Sequence, residues 1–337
     1  MLRVGVIGAG VMGRDHARLL STQVADARVT AIADINLDGA RAVADQCGAE
    51  GVFATGEELI ASGLVDAVVI ASPDALHATT TLAAMEAGLP TLCEKPLAPT
   101  VEEAADVAAR HAELERPLVS VGFMRRFDPG YVALRKVLDE GGSGQLLMTH
   151  SVHRNVEAYP GSPSSATITN SAVHEIDIIP WLTRSPITEV LWAAGRTTTL
   201  LAERTDPQLL LMRTAEGVLH TVSVQVHAQY GYDVRCELVC ERGSVELPNP
   251  PSLNDEAPLI FNSGLMRGAQ YAADWRPRFE TAYRRELTAW VQASLQGTVP
   301  AEAATVEESL RTTRVANALV QSMDEGGWVA VPAAEAR

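Results

Sequence analysis

Apolar residues in the first third of the chain come in short, unbroken runs. Residues 3–8, 29–33, 66–71 and 90–93 are largely apolar with no polar alternation, as in strands covered on both faces. The segments between them, 11–21, 37–47, 56–61 and 75–87, carry apolar residues at helical spacing, and 101–115 continues the series with Thr100 placed as an N-cap. Strands alternating with helices predict βαβ units and a doubly wound α/β domain on a parallel sheet. Near residue 119 the texture changes. A helix over 129–140 ends in the glycine-rich stretch 141–144, and strand-like runs follow at 145–153, 189–199, 208–214, 218–229, 233–240 and 244–247. Consecutive strands with short turns predict an α+β domain on a large, mainly antiparallel open sheet. One helix, 171–182, interrupts it, and helices over 277–295 and 305–323 close the chain. Segments 155–169 and 248–258 read as loops, and the expected division is 1–121 and 122–337.

Composition narrows the classes of function. Of 337 residues, 47% are apolar and 20% charged, which supports large cores and excludes disorder for the whole chain. The net charge of −15 is spread along the sequence, so nucleic acid and anionic lipid surfaces are poor partners. No run reaches the roughly 18 apolar residues of a membrane-spanning helix. The opening MLRVGVIGAGVMG lacks the basic stretch and cleavage site of a leader. Cys47, Cys93, Cys236 and Cys240 form no C-x-x-C pair, so free thiols in the cytoplasm, and no metal, are expected.

Gly8-Ala9-Gly10-Val11-Met12-Gly13 is a G-x-G-x-x-G between a strand and a helix. Gly8 permits the tight turn, Gly10 lets the backbone approach a pyrophosphate, and Gly13 lets the helix pack close to the strand. Asp34 ends the second strand, where a carboxylate would bind ribose hydroxyls. No Arg or Lys follows it until Arg41, which favours NAD over NADP. Ser72-Pro73 lies at the carboxyl end of another strand, the edge where open α/β sheets bind ligands. His77 either approaches the cofactor there or, as is commoner, caps and packs. Glu94-Lys95-Pro96 sits at the same edge. Lys95 either points its ammonium into the nicotinamide crevice or pairs with Glu94 at the surface. In a helix over 171–182, Asn170 and His174 fall one turn apart on one face, with Asp177 three residues on.

These elements, in this order and over essentially the whole chain, resemble the glucose–fructose oxidoreductase, inositol dehydrogenase and rhizopine-catabolism family. Ser151-Val152-His153-Arg154-Asn155, Tyr230-Gly231-Tyr232-Asp233 and Trp275-Arg276-Pro277-Arg278-Phe279 narrow the likeness to its inositol-oxidising branch. The resemblance implies an NAD-binding Rossmann domain followed by a domain for substrate and assembly. It implies hydride transfer from a ring carbon of a cyclic polyol to NAD, giving a ketone such as an inosose. By that resemblance His174 is the general base, Lys95 stabilises charge on the reacting oxygen, and Met124, Arg125, His153 and Tyr232 line the polyol site. It also implies a homotetramer. One departure stands out: the family pattern has Asp four residues before the histidine, and this chain has Asn170. An amide orients an imidazole but does not raise its pKa as a carboxylate does. That leaves room for another sugar or an amino-cyclitol as substrate. A non-catalytic NAD sensor is the alternative outside enzymes, although it would need neither Lys95 nor His174.

Overall fold

The first sheet grows out of the apolar runs that open the chain. The computed structural model describes residues 1–201, 204–247, 261–263, 266–268 and 271–333, so the loop expected over 248–258 lies outside the described residues. In chain order come β1 (Leu2–Ile7), α1 (Val11–Thr22), β2 (Ala27–Ala33), α2 (Leu37–Cys47), β3 (Gly51–Phe53), α3 (Gly56–Ala61) and β4 (Ala67–Ile70). They are followed by α4 (His77–Glu86), β5 (Thr91–Glu94), α5 (Val101–Ala112) and β6 (Val119–Gly122). Among the described residues these strands pair in the order β3-β2-β1-β4-β5-β6, all parallel. Every residue of β4, β5 and β6 is buried, which is why their sequences lack alternation.

Two details differ from the expected elements. The segment 75–87 opens as a 3₁₀ turn, Asp74–Leu76, closed by Leu76 N–H donating to the Pro73 carbonyl, and becomes α-helical only at His77. Residues 119–122, where the texture changes, still belong to the first sheet as its edge strand β6. The chain divides into two units, residues 1–127 with 282–313 and residues 128–281 with 314–337, whereas the change of texture gave a single cut at 121/122. In the first unit the Val121 N–H donates to the Ala304 carbonyl (3.0 Å). Thr305 and Glu308 then cap the helix Val306–Glu325 reciprocally: Glu308 N–H donates to Thr305 Oγ1 and Thr305 N–H to Glu308 Oε2.

The second unit contains α6 (Pro129–Glu140), β7 (Leu146–Arg154), α7 (Val173–Thr183), β8 (Ile187–Ala193), β9 (Gln208–Thr214), β10 (Leu219–Gln225), β11 (Asp233–Cys240) and β12 (Gly243–Leu247). The strands β13 (Phe261–Ser263) and β14 (Met266–Gly268) pair with each other, and β15 (Val329–Ala330) joins β8. The large sheet runs β12-β11-β7-β10-β9-β8-β15, with β7 and β10 parallel and the other pairs antiparallel. Burial alternates along β9 and β10. Leu210, Met212, Val222 and Val224 face a core that includes Ile176 and Ile179 of α7, and Val315 and Leu319. The strand expected over 218–229 stops at Gln225 because the N–H groups of Val226 and His227 turn to the buried Asp206 carboxylate (2.8 and 3.3 Å).

The helix expected over 171–182 is the largest correction. Residues Thr167–Ala172 form a π-helical turn, and regular α-helix begins only at Val173. In a π turn the hydrogen bonds run i→i+5, so Asn170 lies in a wider turn than the regular α-helix expected there.

Asp128 carries two duties in this unit. It caps α6 through the N–H groups of Gly130 and Tyr131 (3.0 and 3.2 Å), and it pairs with the Arg278 guanidinium at 2.7 Å. Both side chains are 2% exposed. Asp128→Ala is expected to cost about 3–5 kcal/mol, because it strands a buried cation and uncaps the helix. Urea unfolding followed by tryptophan fluorescence checks this, with Asp128→Asn retaining part of the loss.

Candidate active site

In the first unit, the expected nucleotide-binding residues gather at the carboxyl edge of the parallel sheet. Gly8 has φ +100°, and a Cβ there would lie 2.4 Å from the Ala71 carbonyl oxygen. A Cβ on Gly13 would stand 1.8 Å from the Gly8 carbonyl oxygen, so α1 and the loop meet backbone to backbone. At Gly10 a Cβ would meet nothing within 4 Å. No side chain caps the N-terminus of α1, where Val11 is exposed and Met12 half-buried. Open space at Gly10 beside uncapped helix N–H groups suits a pyrophosphate. Asp34 is fastened to this loop, accepting the Ala9 N–H at 2.7 Å and the Asn36 N–H at 2.8 Å. Ser72 and Pro73 follow β4, and Ser72 Oγ is buried with no hydrogen-bond partner among the described residues. That orphaned hydroxyl and the space at Gly10 fit a dinucleotide along this edge.

His77, a candidate cofactor contact, is turned inward. It is 1% exposed, and its two ring nitrogens face the carbonyl oxygens of Pro96 (2.6 Å) and Ser72 (2.9 Å). It packs and clamps. Glu94 is also buried: its Oε1 meets His16 Nε2 at 2.7 Å and its Oε2 accepts the Lys95 N–H at 3.2 Å. Lys95 itself is half-buried and precedes a cis peptide to Pro96. Burial pushes its ammonium below the ordinary lysine range, Glu94 and Asp74 pull it back, and Arg125 adds to the lowering. Met124 and Arg125 lie in a 3₁₀ turn after β6, and both are buried.

In the second unit, β7 and α7 bring His153 and His174 together, with ring centroids 6.5 Å apart. Tyr232 approaches His153 edge-on at 6.1 Å. His153 Nδ1 lies 2.9 Å from Glu175 Oε2, and its Nε2 lies 3.2 Å from Asn155 Oδ1. Asn155 in turn donates to Ser171 Oγ (3.0 Å). His153, His174 and Tyr232 are all buried, whereas Asn170 is exposed in the π turn and accepts a bond from Thr169 Oγ1. The loop leading to that turn is anchored by Arg204, which donates to Ser162 Oγ (2.5 Å) and to Thr167 Oγ1 (3.1 Å).

Two participants were given no site role from the sequence. Glu175 is 0% exposed on a helix otherwise rich in Val and Ile; a charge on so apolar a helix must have a partner, and that was the available signal. His16 lies on the buried stripe of α1 with Gly13, Ala17 and Leu20, where a polar residue likewise implies a partner. Among the described residues no His, Cys, Asp and Glu group is arranged to hold a metal, and no helix is long and apolar enough to cross a membrane.

Residues 2–123 match the family described as GFO/IDH/MocA oxidoreductases with an NAD-binding Rossmann fold, and residues 131–246 match the GFO/IDH/MocA C-terminal domain. Inositol 2-dehydrogenase 2 of Paenarthrobacter aurescens is 47% identical over 331 residues, 97% of each chain. The inositol 2-dehydrogenase/D-chiro-inositol 3-dehydrogenase of Shouchella clausii is 37% identical, covering 96% of this chain and 92% of its own. The crystal structure of myo-inositol dehydrogenase from Lactobacillus casei in complex with NAD(H) and myo-inositol superposes with a TM-score of 0.94 at 29% identity, covering 100% of this chain and 98% of its own. The chain therefore belongs to the GFO/IDH/MocA family of oxidoreductases.

Proposed function

We propose that the protein is an NAD-dependent inositol dehydrogenase, which oxidises a ring carbinol of myo-inositol or a related inositol to an inosose. The observation that carries this reading is the 47% identity, over nearly the whole of both chains, to an inositol 2-dehydrogenase. The first unit holds the dinucleotide, through the Gly8–Gly13 loop, Asp34 and Ser72; the second serves substrate binding and assembly. NAD supplies the hydride acceptor when bound. With NAD bound as that acceptor, His174 would take the hydroxyl proton as the ring carbinol becomes C=O. His174 acts as general base, since an imidazole accepts a proton readily near neutral pH. Lys95 is the donor that stabilises the developing negative charge of an alkoxide, an effect strengthened where water is excluded. Met124, Arg125, His153 and Tyr232 bind the polyol, and the Glu175 and Asn155 contacts hold the His153 ring in one orientation.

Asn170 favours a second reading within the same chemistry. An amide in an exposed π turn brings no charge to His174, which suits a shifted substrate range such as another sugar or an amino-cyclitol. We further propose a homotetramer assembled through the outer face of the large sheet. That face carries the cross-strand pair Leu191 and Leu211, with Leu209 opposite Ala193, between the buried residues of the inner face. Four free cysteines fit a cytoplasmic setting.

A panel of cyclitols and sugars assayed with NAD and NADP is the deciding measurement. Turnover of inositols with NAD is expected; turnover of pyranoses alone would overturn the substrate. Lys95→Met is expected to lower kcat/KM at least about a hundredfold, the scale of a lost transition-state donor. In the wild type the alkaline fall of kcat/KM should begin below the ordinary lysine value of 10.5, because burial lowers Lys95 and the neutral amine stabilises an alkoxide poorly. Asp34→Ser is expected to raise the NAD Kd about tenfold to a hundredfold, the range for a hydrogen bond to a charged group, and to narrow discrimination against NADP in parallel titrations. Asn170→Asp should raise the acid limb of the pH–rate profile and change relative rates across the panel. If neither moves, Asn170 is outside the catalytic set. Sedimentation equilibrium giving a monomer would remove the tetramer.

A further inference from the structure

The Lys95 turn is gripped from both flanks by buried histidines of the first unit. On the amino side, Glu94 accepts the Lys95 N–H and is itself held by His16. On the carboxyl side, the Pro96 carbonyl faces His77 Nδ1 at 2.6 Å. Only His77 reaches further, because its Nε2 lies 2.9 Å from the carbonyl of Ser72, in the turn after β4. A carbonyl oxygen accepts and never donates. Each ring nitrogen therefore bonds its carbonyl only when it carries hydrogen, and the imidazolium form makes both bonds at once, each charge-assisted.

We infer that His77 is a positioning residue for the dehydrogenase reaction, tying the Ser72–Pro73 turn to the Lys95–Pro96 turn so that the donor lysine is fixed relative to the nucleotide edge. The inference rests on the role proposed for Lys95 above. It differs from cofactor contact, since a ring that is 1% exposed with both nitrogens engaged has nothing left to offer a ligand. Burial opposes the charge on His77, but Cys93 and the carbonyls of Pro96 and Ser72 outweigh it and push the ring up to about 10. The clamp thus keeps its charge across the neutral range. Its two bonds are also chemically separable. The amide nitrogen of asparagine sits where Nδ1 of histidine does, and that of glutamine where Nε2 does.

The test compares the full-length wild type with His77→Asn and His77→Gln. NAD affinity is read by calorimetry without substrate, kcat by turnover of inositol at saturating NAD, and folding by thermal unfolding. His77→Asn keeps the bond to Pro96 and loses that to Ser72; its NAD Kd should rise about tenfold to a hundredfold while kcat stays within about threefold. His77→Gln keeps the bond to Ser72 and should show the reverse: NAD Kd nearly unchanged, kcat down about tenfold to a hundredfold. Acylation of Lys95 by acetic anhydride, quantified by mass spectrometry, should change in His77→Gln and not in His77→Asn. Equal losses of kcat and NAD affinity in the two variants, following the thermal midpoint, would reduce His77 to a packing residue and overturn the inference; so would the absence of any change. If the wild type turns over no inositol, the proposed function fails, while calorimetry and acylation still decide the role of His77.

Discussion

Much of the first unit depends on one close approach. Gly13 of α1 meets the Gly8 carbonyl so tightly that even a methyl group would not fit. That contact seats the helix directly over the end of β1, which leaves its uncapped N-terminus at the sheet edge and aims His16 at Glu94. It also holds the Ala9 N–H where Asp34 can accept it from the end of β2. A larger residue would lift α1 and disturb the loop, the carboxylate and the support under Lys95 together. Packing density leaves no slack to absorb the shift.

The second unit solves a different problem. Its α7 helix is apolar enough to be core, with Ile176, Ile178 and Ile179 buried, yet it also buries His174, Glu175 and Asp177. Burying an acid on such a helix is costly unless a partner and further hydrogen bonds compensate. The Glu175–His153 pair supplies them, and Asn155 and Ser171 extend the chain of bonds. A network of this kind adds little stability over an apolar replacement, but it ties α7 to β7 beside His174.

What could be read in the sequence was local. The strand–glycine–helix signature and the strand-end Asp34 each declare themselves within a few residues, and the alternation of strands and helices gave the doubly wound order. The π turn did not, because a reading based on a 3.6-residue period carries no signal for a wider turn before Val173. β3 is three residues long, too short for any period. The end of β10 is set by Asp206, about 20 residues away in the chain, and no pattern in 218–229 announces it. The return of 282–313 to the first unit rests on contacts such as that between Val121 and Ala304, which have no local signal. Helical spacing marked the closing helices, Trp275–Leu295 and Val306–Glu325, to within two residues at each end, but spacing does not name the partner a helix packs on.

Charge along the carboxyl edge of the parallel sheet is graded. After β2 stands an anion, Asp34; after β1, neutral N–H donors at the start of α1; after β5 and β6, the cationic Lys95 and Arg125. A ligand lying along that edge meets an acceptor for hydroxyls, then donors for phosphates, then positive charge. Phosphate binding by backbone N–H groups needs no net cation, so a chain carrying −15 overall can still hold an anionic dinucleotide. The cations at the far end have a separate use, since a charge already stripped of water acts more strongly on a nearby oxygen than the same charge in solvent. Burial lowers the pKa of Lys95 by the same physics that strengthens its field. In the role proposed for it, Lys95 trades some protonation at high pH for a stronger hold on an alkoxide near neutrality.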